Sequence, residues 1–249
     1  MAILRNTDGF SPLNAGHPLA DLDLTNKLKW SEWFEDFNGY DITQAIGGNP
    51  WTFTQTNCVD TILGPTGILT LTLGGADNDL GELQLAEAPF ALASGKRLYM
   101  QMRFNLALAS AGTIAANEIF IGLATEATGT SLMNSGGTAL TADNALGVVK
   151  YDAGAALASV MRASDVESTD GSLHTPTDGA WVTIGIYYTG SQAKFYVGTA
   201  ADGSDCKLIS TLTGNDPTAV MTPTIFVKAG EAKANILSVD YIGIWRERG

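Results

Sequence analysis

Lys96-Arg-Leu-Tyr-Met-Gln-Met-Arg-Phe104 decides the fold class. Leu98, Met100, Met102 and Phe104 fall on one side of an extended chain, and Tyr99, Gln101 and Arg103 on the other. A period of two over this length belongs to a strand with one apolar face. The pattern repeats outward in both directions. Ile68 to Leu73 alternates Leu with Thr, and Trp181 to Tyr188 is rich in β-branched and aromatic residues. Thr-Gly-Ser-Gln then leads into Lys194 to Val197, a hairpin with its turn chemistry in place. Ala201 to Asp205 supplies another turn before Lys207 to Leu212. Further strands are expected at Trp51–Thr56, Leu80–Ala86, Glu118–Leu123, Leu146–Tyr151, Leu157–Arg162, Thr224–Lys228 and Asn235–Trp245. More than ten short strands with few helices predict an all-β, two-sheet antiparallel sandwich or jelly roll over residues 30–249.

The composition agrees. In 249 residues, 45% are hydrophobic and 16% charged, with 28 glycines, which excludes a disordered chain and a charged helical bundle. Lys and Arg number 14 against 26 Asp and Glu, a net charge of −12. Such a chain has no long-range attraction for phosphate backbones or anionic lipid, so neither nucleic acid nor membrane is an expected partner. No run of about 18 apolar residues is present. The N-terminus lacks the basic, apolar and small-residue order of a secretory signal, and no Asn-x-Ser/Thr sequon occurs. Synthesis in a cytoplasm is the expectation. Cys58 and Cys206 are far apart in sequence; they could meet across a sheet, but two free thiols fit a cytoplasmic chain better.

Two segments break the strand pattern. Residues 1–29 carry turn clusters and isolated apolar residues, among them Ile3, Leu4, Phe10 and Leu13, with no period. They read as an irregular N-terminal arm, either mobile or ordered against something else. Asp21 to Phe34 has room for a short helix. Between Asn105 and Val149 there is no Lys or Arg, and Glu118, Glu126 and Asp143 are the only charges. Leu106–Ala116 and Ala127–Ala142 within it read as long uncharged loops, which are uncommon unless mobile or covered. If a partner covers them, Leu106, Leu108, Ile114, Leu132 and Met133 are the side chains it meets. With the arm's Ile3, Leu4, Phe10 and Leu13 they predict a homo-oligomer.

No catalytic constellation emerges. His17 and His174 stand apart from each other, which leaves no zinc or iron site. Around His174 the chain reads as an exposed loop, and no Gly-x-Ser-x-Gly elbow or phosphate-binding glycine loop exists. Asp77-Asn-Asp79 with Glu82 offers calcium-type oxygens without an EF-hand spacing; it reads first as a turn, and so do Asp202 and Asp205. Trp30, Trp33, Trp51, Trp181 and Trp245 read as packing residues before sugar-stacking ones. No cofactor, metal or catalytic residue is expected.

Phe34-Glu-Asp-Phe-Asn-Gly39 followed by Asn49-Pro-Trp51 resembles the opening strand of the concanavalin A-like jelly rolls, especially the laminarinase-type glycoside hydrolases and the sugar-binding modules built like them. Val239-Asp-Tyr-Ile-Gly-Ile-Trp245 resembles their closing strand, Lys96–Phe104 a core strand, and Trp181 to Gly198 their paired strands. Those enzymes carry Glu-x-Asp-x-x-Glu or Glu-x-Asp-x-Glu on one strand, an acid/base and a nucleophile on one face. Gly81-Glu-Leu-Gln-Leu-Ala-Glu87 is a near echo, with Gln84 where the central Asp belongs and the segment before, not after, Lys96–Phe104. It reads as an outward polar face with Leu83 and Leu85 inward, so hydrolysis does not carry over. A lectin-like jelly roll with an arm and long uncharged loops also resembles, in architecture, the capsid decoration or cement proteins of tailed phages. That resemblance implies a structural virion protein at the capsid surface, made in the host cytoplasm and bound to the major capsid protein and sibling copies, with a trimer expected because such decorations commonly sit on local three-fold positions. The alternative is a carbohydrate-binding module or a receptor-binding part of a tail fibre, with a glycoside hydrolase last.

Overall fold

A computed structural model describes residues 24, 26–38, 51–63, 67–86, 90–109, 114–125 and 131–248. The expected two-sheet sandwich is present, built from sixteen strands. They are β1 (Trp30–Glu35), β2 (Trp51–Thr56), β3 (Cys58–Leu63), β4 (Ile68–Leu73), β5 (Leu80–Leu85), β6 (Phe90–Ala91), β7 (Leu98–Leu108) and β8 (Asn117–Ala124). The rest are β9 (Ala145–Lys150), β10 (Leu157–Ala163), β11 (Val166–His174), β12 (Trp181–Tyr188), β13 (Gln192–Gly198), β14 (Lys207–Thr213), β15 (Val220–Ala229) and β16 (Asn235–Glu247). The first sheet runs β14-β13-β12-β7-β16-β4-β3, with β1 also on β16. The second runs β11-β10-β9-β8-β15-β5-β2, with β6 also on β15. All pairings are antiparallel.

The alternation of Lys96–Phe104 builds the core. Leu98, Met100, Met102, Phe104 and Leu106 face Ile119, Ile121 and Leu123 of β8 and Ile225 and Val227 of β15. Along β16 the phase changes once. Leu237 and Val239 point inward, and then Ile242 and Ile244 do. A bulge opposite Phe104 and Arg103 inserts Asp240 between them. It swings Tyr241 and Trp245 to the outside and sets Asp240 Oδ2 2.6 Å from Arg103 Nη1. One lateral margin closes where β11 approaches β14, the Ser159 and Ser210 hydroxyls meeting at 3.0 Å. At the other the chain passes from β2 to β3 through Asn57, which adopts a φ of +45°.

Four expectations are corrected. Trp30–Glu35, the end of the proposed helix, is strand β1, because Trp30 and Trp33 pack to opposite sides of it. The supposed loop from Leu106 begins as the end of β7, and Leu106 is buried in the core rather than exposed to a partner. Leu108 and Ile114 are half-buried. The segment around His174 is β11, a strand so polar that no apolar alternation announces it. Leu132 and Met133 are fully buried under this chain's own fold, as described below. Ile3, Leu4, Phe10, Leu13 and His17 lie outside the described residues. The arm's last stretch does touch the body: Leu24 packs with Trp30, Tyr99 and Trp245.

Candidate functional site

Outer faces of both sheets are covered by the chain itself. On the first, Tyr99 Oη donates to Gln101 Oε1 (2.7 Å), Gln101 Nε2 to Tyr241 Oη (2.6 Å), and Tyr241 Oη to Ala201 O (2.8 Å). The turn through residues 199–206 lies over this row, held by Asp205, which accepts from Thr199 N, Thr199 Oγ1 and Ala200 N. Asp79 holds its own turn the same way, accepting from Ala76 N and Asn57 Nδ2. The turn readings of both acidic segments hold. Among the described residues no group of three or more His, Cys, Asp or Glu is placed to hold a metal.

The second sheet carries the more unusual cover. Between β8 and β9 the chain leaves and returns through Thr125 N to Asn144 O (2.9 Å). Residues 131–142 fold into a narrow hairpin, with Asn134 N on Ala139 O (3.1 Å), Thr141 N on Leu132 O (2.8 Å) and a bridge between Met133 and Leu140. Leu132, Met133, Leu140 and Ala142 pack onto Phe120, Val149, Val160 and Phe226, outward residues of β8, β9, β10 and β15. Of the two readings of this uncharged stretch, mobile or covered, residues 131–142 take the second, packed on their own sheet.

Beneath this flap lies a buried polar row. Lys228 Nζ, on β15, donates to both Glu118 oxygens at 3.0 and 3.1 Å, and to Ser135 O and Asn134 O at 3.1 and 3.3 Å. Burial pushes the Glu118 carboxyl up, and the ammonium pulls it back. Gly137, at a φ of +61°, rests on the Glu118 carboxylate, where any Cβ would collide. Thus the ion pair clamps the flap's tip. Toward its base, Glu82 Oε2 accepts from Leu132 N at 3.1 Å. Glu82 is 3% exposed, and burial, opposed by that one amide, raises its carboxyl to about 7. Gln84 Nε2 donates to Thr224 Oγ1 at 3.1 Å.

The sequence expectation for this strand is half right. Leu83 and Leu85 do point inward, but the outward Glu82 and Gln84 are buried instead of wet, because the flap closes over them. Glu87 lies outside the described residues. Glu82 faces Gln84 along its own strand, and Glu118 is engaged by Lys228, so what this row does in the closed state is hold a flap. Lys228 and Gly137 escaped the sequence reading. The signal was there in Glu118 and Lys228, two lone opposite charges on otherwise apolar central strands. Of the tryptophans, Trp30, Trp51 and Trp245 are buried, Trp33 meets Trp51 edge-on at 6.0 Å, and Trp181 lies under Arg103 at 4.4 Å.

By sequence the chain matches no family profile and no curated protein. By structure it is similar to several β-sandwich proteins. The carbohydrate recognition domain of Emp47p shares 14% identity over 88% of this chain and 97% of that one, at a TM-score of 0.56. The lectin UEA-II, solved with galactose, shares 13% over 88% and 99%, at 0.55. A protein of unknown function from Shewanella oneidensis MR-1 shares 13% over 97% of both chains, at 0.56. The fold is the concanavalin A-like jelly roll.

Proposed function

We propose that this chain is a non-catalytic, lectin-like recognition module with a carbohydrate ligand. The observation that carries the reading is the completeness of the match: nearly the whole of each lectin domain finds its counterpart in this sandwich. The chemistry of the flap-covered row supports the non-catalytic part. A glycosidase needs two carboxyl groups on one open face, roughly 5–10 Å apart, whereas here Gln84 stands beside Glu82 and Lys228 occupies Glu118. Labelled protein on a glycan array, with calcium and with chelator, tests the reading. Binding to at least one glycan class is expected, and equally in both buffers because the described residues hold no clustered metal ligands. Binding to no glycan above background counts against it.

A further inference from the structure

We propose that the 131–142 hairpin is a flap latched by a proton on Glu82, closed in mild acid and loosened as the pH rises. The geometry sets the terms. Two side-chain fastenings hold the flap over the polar row, Lys228 with Glu118 at its tip and the Glu82 carboxyl at its base. Its other contacts include Asp152 N donating to Gly137 O at 2.9 Å, Arg162 Nε donating to Ala142 O at 2.6 Å, and Leu132, Met133, Leu140 and Ala142 on the sheet. The tip fastening carries its own counter-charge. The base fastening does not.

Among the described residues, no element packed around Glu82 supplies a free opposite charge to neutralise it. On β2, Thr52, Thr54 and Thr56 are uncharged, and so is every residue of the flap from Ser131 to Ala142. On β15, Phe226 is the register partner of Glu82, and Lys228 lies one diagonal step away with its protons committed to Glu118 and the flap carbonyls. Glu118 on β8 adds a like charge, with Asp152 and Lys150 beyond it. Glu126 lies outside the described residues. A carboxylate under the closed flap is thus stripped of water with one amide in exchange, a larger cost than burying the neutral carboxyl at the same place.

Linkage fixes the direction. With the flap closed the Glu82 proton is held to about 7, and opening returns the group to its ordinary 4.5. The latch is complete below 4.5 and is lost as the pH rises through 7. Flap opening then bares the outer row of the second sheet, so access to that face follows pH.

Hydrogen exchange of the full chain, read peptide by peptide from pH 4.5 to 8 and corrected for the intrinsic rate, tests the proposal. Amides of residues 131–142 should lose protection on the order of a hundredfold across the range, while those of β8 and β9 stay protected. Glu82→Gln keeps an acceptor but cannot titrate, and its flap protection should be flat with pH. Wild-type flap amides that do not respond, or that respond only together with β8 and β9, overturn the latch. So does a Glu82→Gln flap that responds as the wild type does. The wild-type comparison of flap with core decides the matter if the variant fails to fold.

Discussion

Gly137 and Lys228 show how single residues hold the cover on the second sheet. Gly137 has a left-handed backbone and no room for a Cβ above Glu118, so Gly137→Ala meets strain and collision together. The substitution should cost about 1–3 kcal/mol in urea unfolding; an unchanged midpoint would show that the turn does not sit on Glu118. Lys228 is worth more. Lys228→Met leaves the Glu118 carboxylate buried without its cation, a loss of roughly 3–5 kcal/mol. Adding Glu118→Leu should restore most of that, because the cost lies in the unpaired charge and not in the missing bridge. A double variant no more stable than Lys228→Met would contradict this.

At the scale of elements, strands with apolar residues on at least one face were largely legible, and the polar β11 was not. Lys96–Phe104 and Ile68–Leu73 announce themselves because their inward residues alternate with polar ones, and the structure puts both where the alternation predicts. β11, Val-Glu-Ser-Thr-Asp-Gly-Ser-Leu-His, lies on a margin and buries little, so hydrogen bonding to β10 makes it a strand without any sequence period. The bulge at Asp240 was equally hidden, since a one-residue phase change looks like noise in a short run. For the 131–142 flap, the missing charge disclosed that it is covered but not by what; a composition says nothing about which surface lies opposite. The strand order also separates the two cysteines. Cys58 opens β3 at one margin of the first sheet, whereas the Cys206 thiol donates to Thr183 O on β12, and four spacings of ~4.8 Å put the two on the order of 20 Å apart. Both are buried free thiols, raised to about 12 chiefly by burial. A thiol reagent should therefore find neither in the native protein and both in denaturant. Rapid labelling of the native chain would contradict the strand placement.

Across the whole molecule, the central strands are buried on both faces, and this explains the composition of the middle of the chain. β8 and β9 have the opposite sheet on one side and the flap on the other. The scarcity of charge from Asn105 to Val149 fits such strands: their one carboxylate, Glu118, is admitted with Lys228 beside it, and the buried Lys150 ammonium with the Ala115 and Asn117 carbonyls at 2.6 Å. The remaining charge, largely acidic, is left to the turns and margins. The result is a lectin-like sandwich whose carboxylate row is engaged in structure, which supports the proposed recognition of carbohydrate without cleavage. The most direct measurement loads the protein onto a panel of immobilised β-glucans, galactans and mannans and follows retention and reducing ends in the same samples. Retention on at least one polysaccharide with no release of reducing ends above buffer is the predicted result. Reducing ends released by the wild type and abolished in Glu82→Gln, or no retention on any polysaccharide, would contradict it.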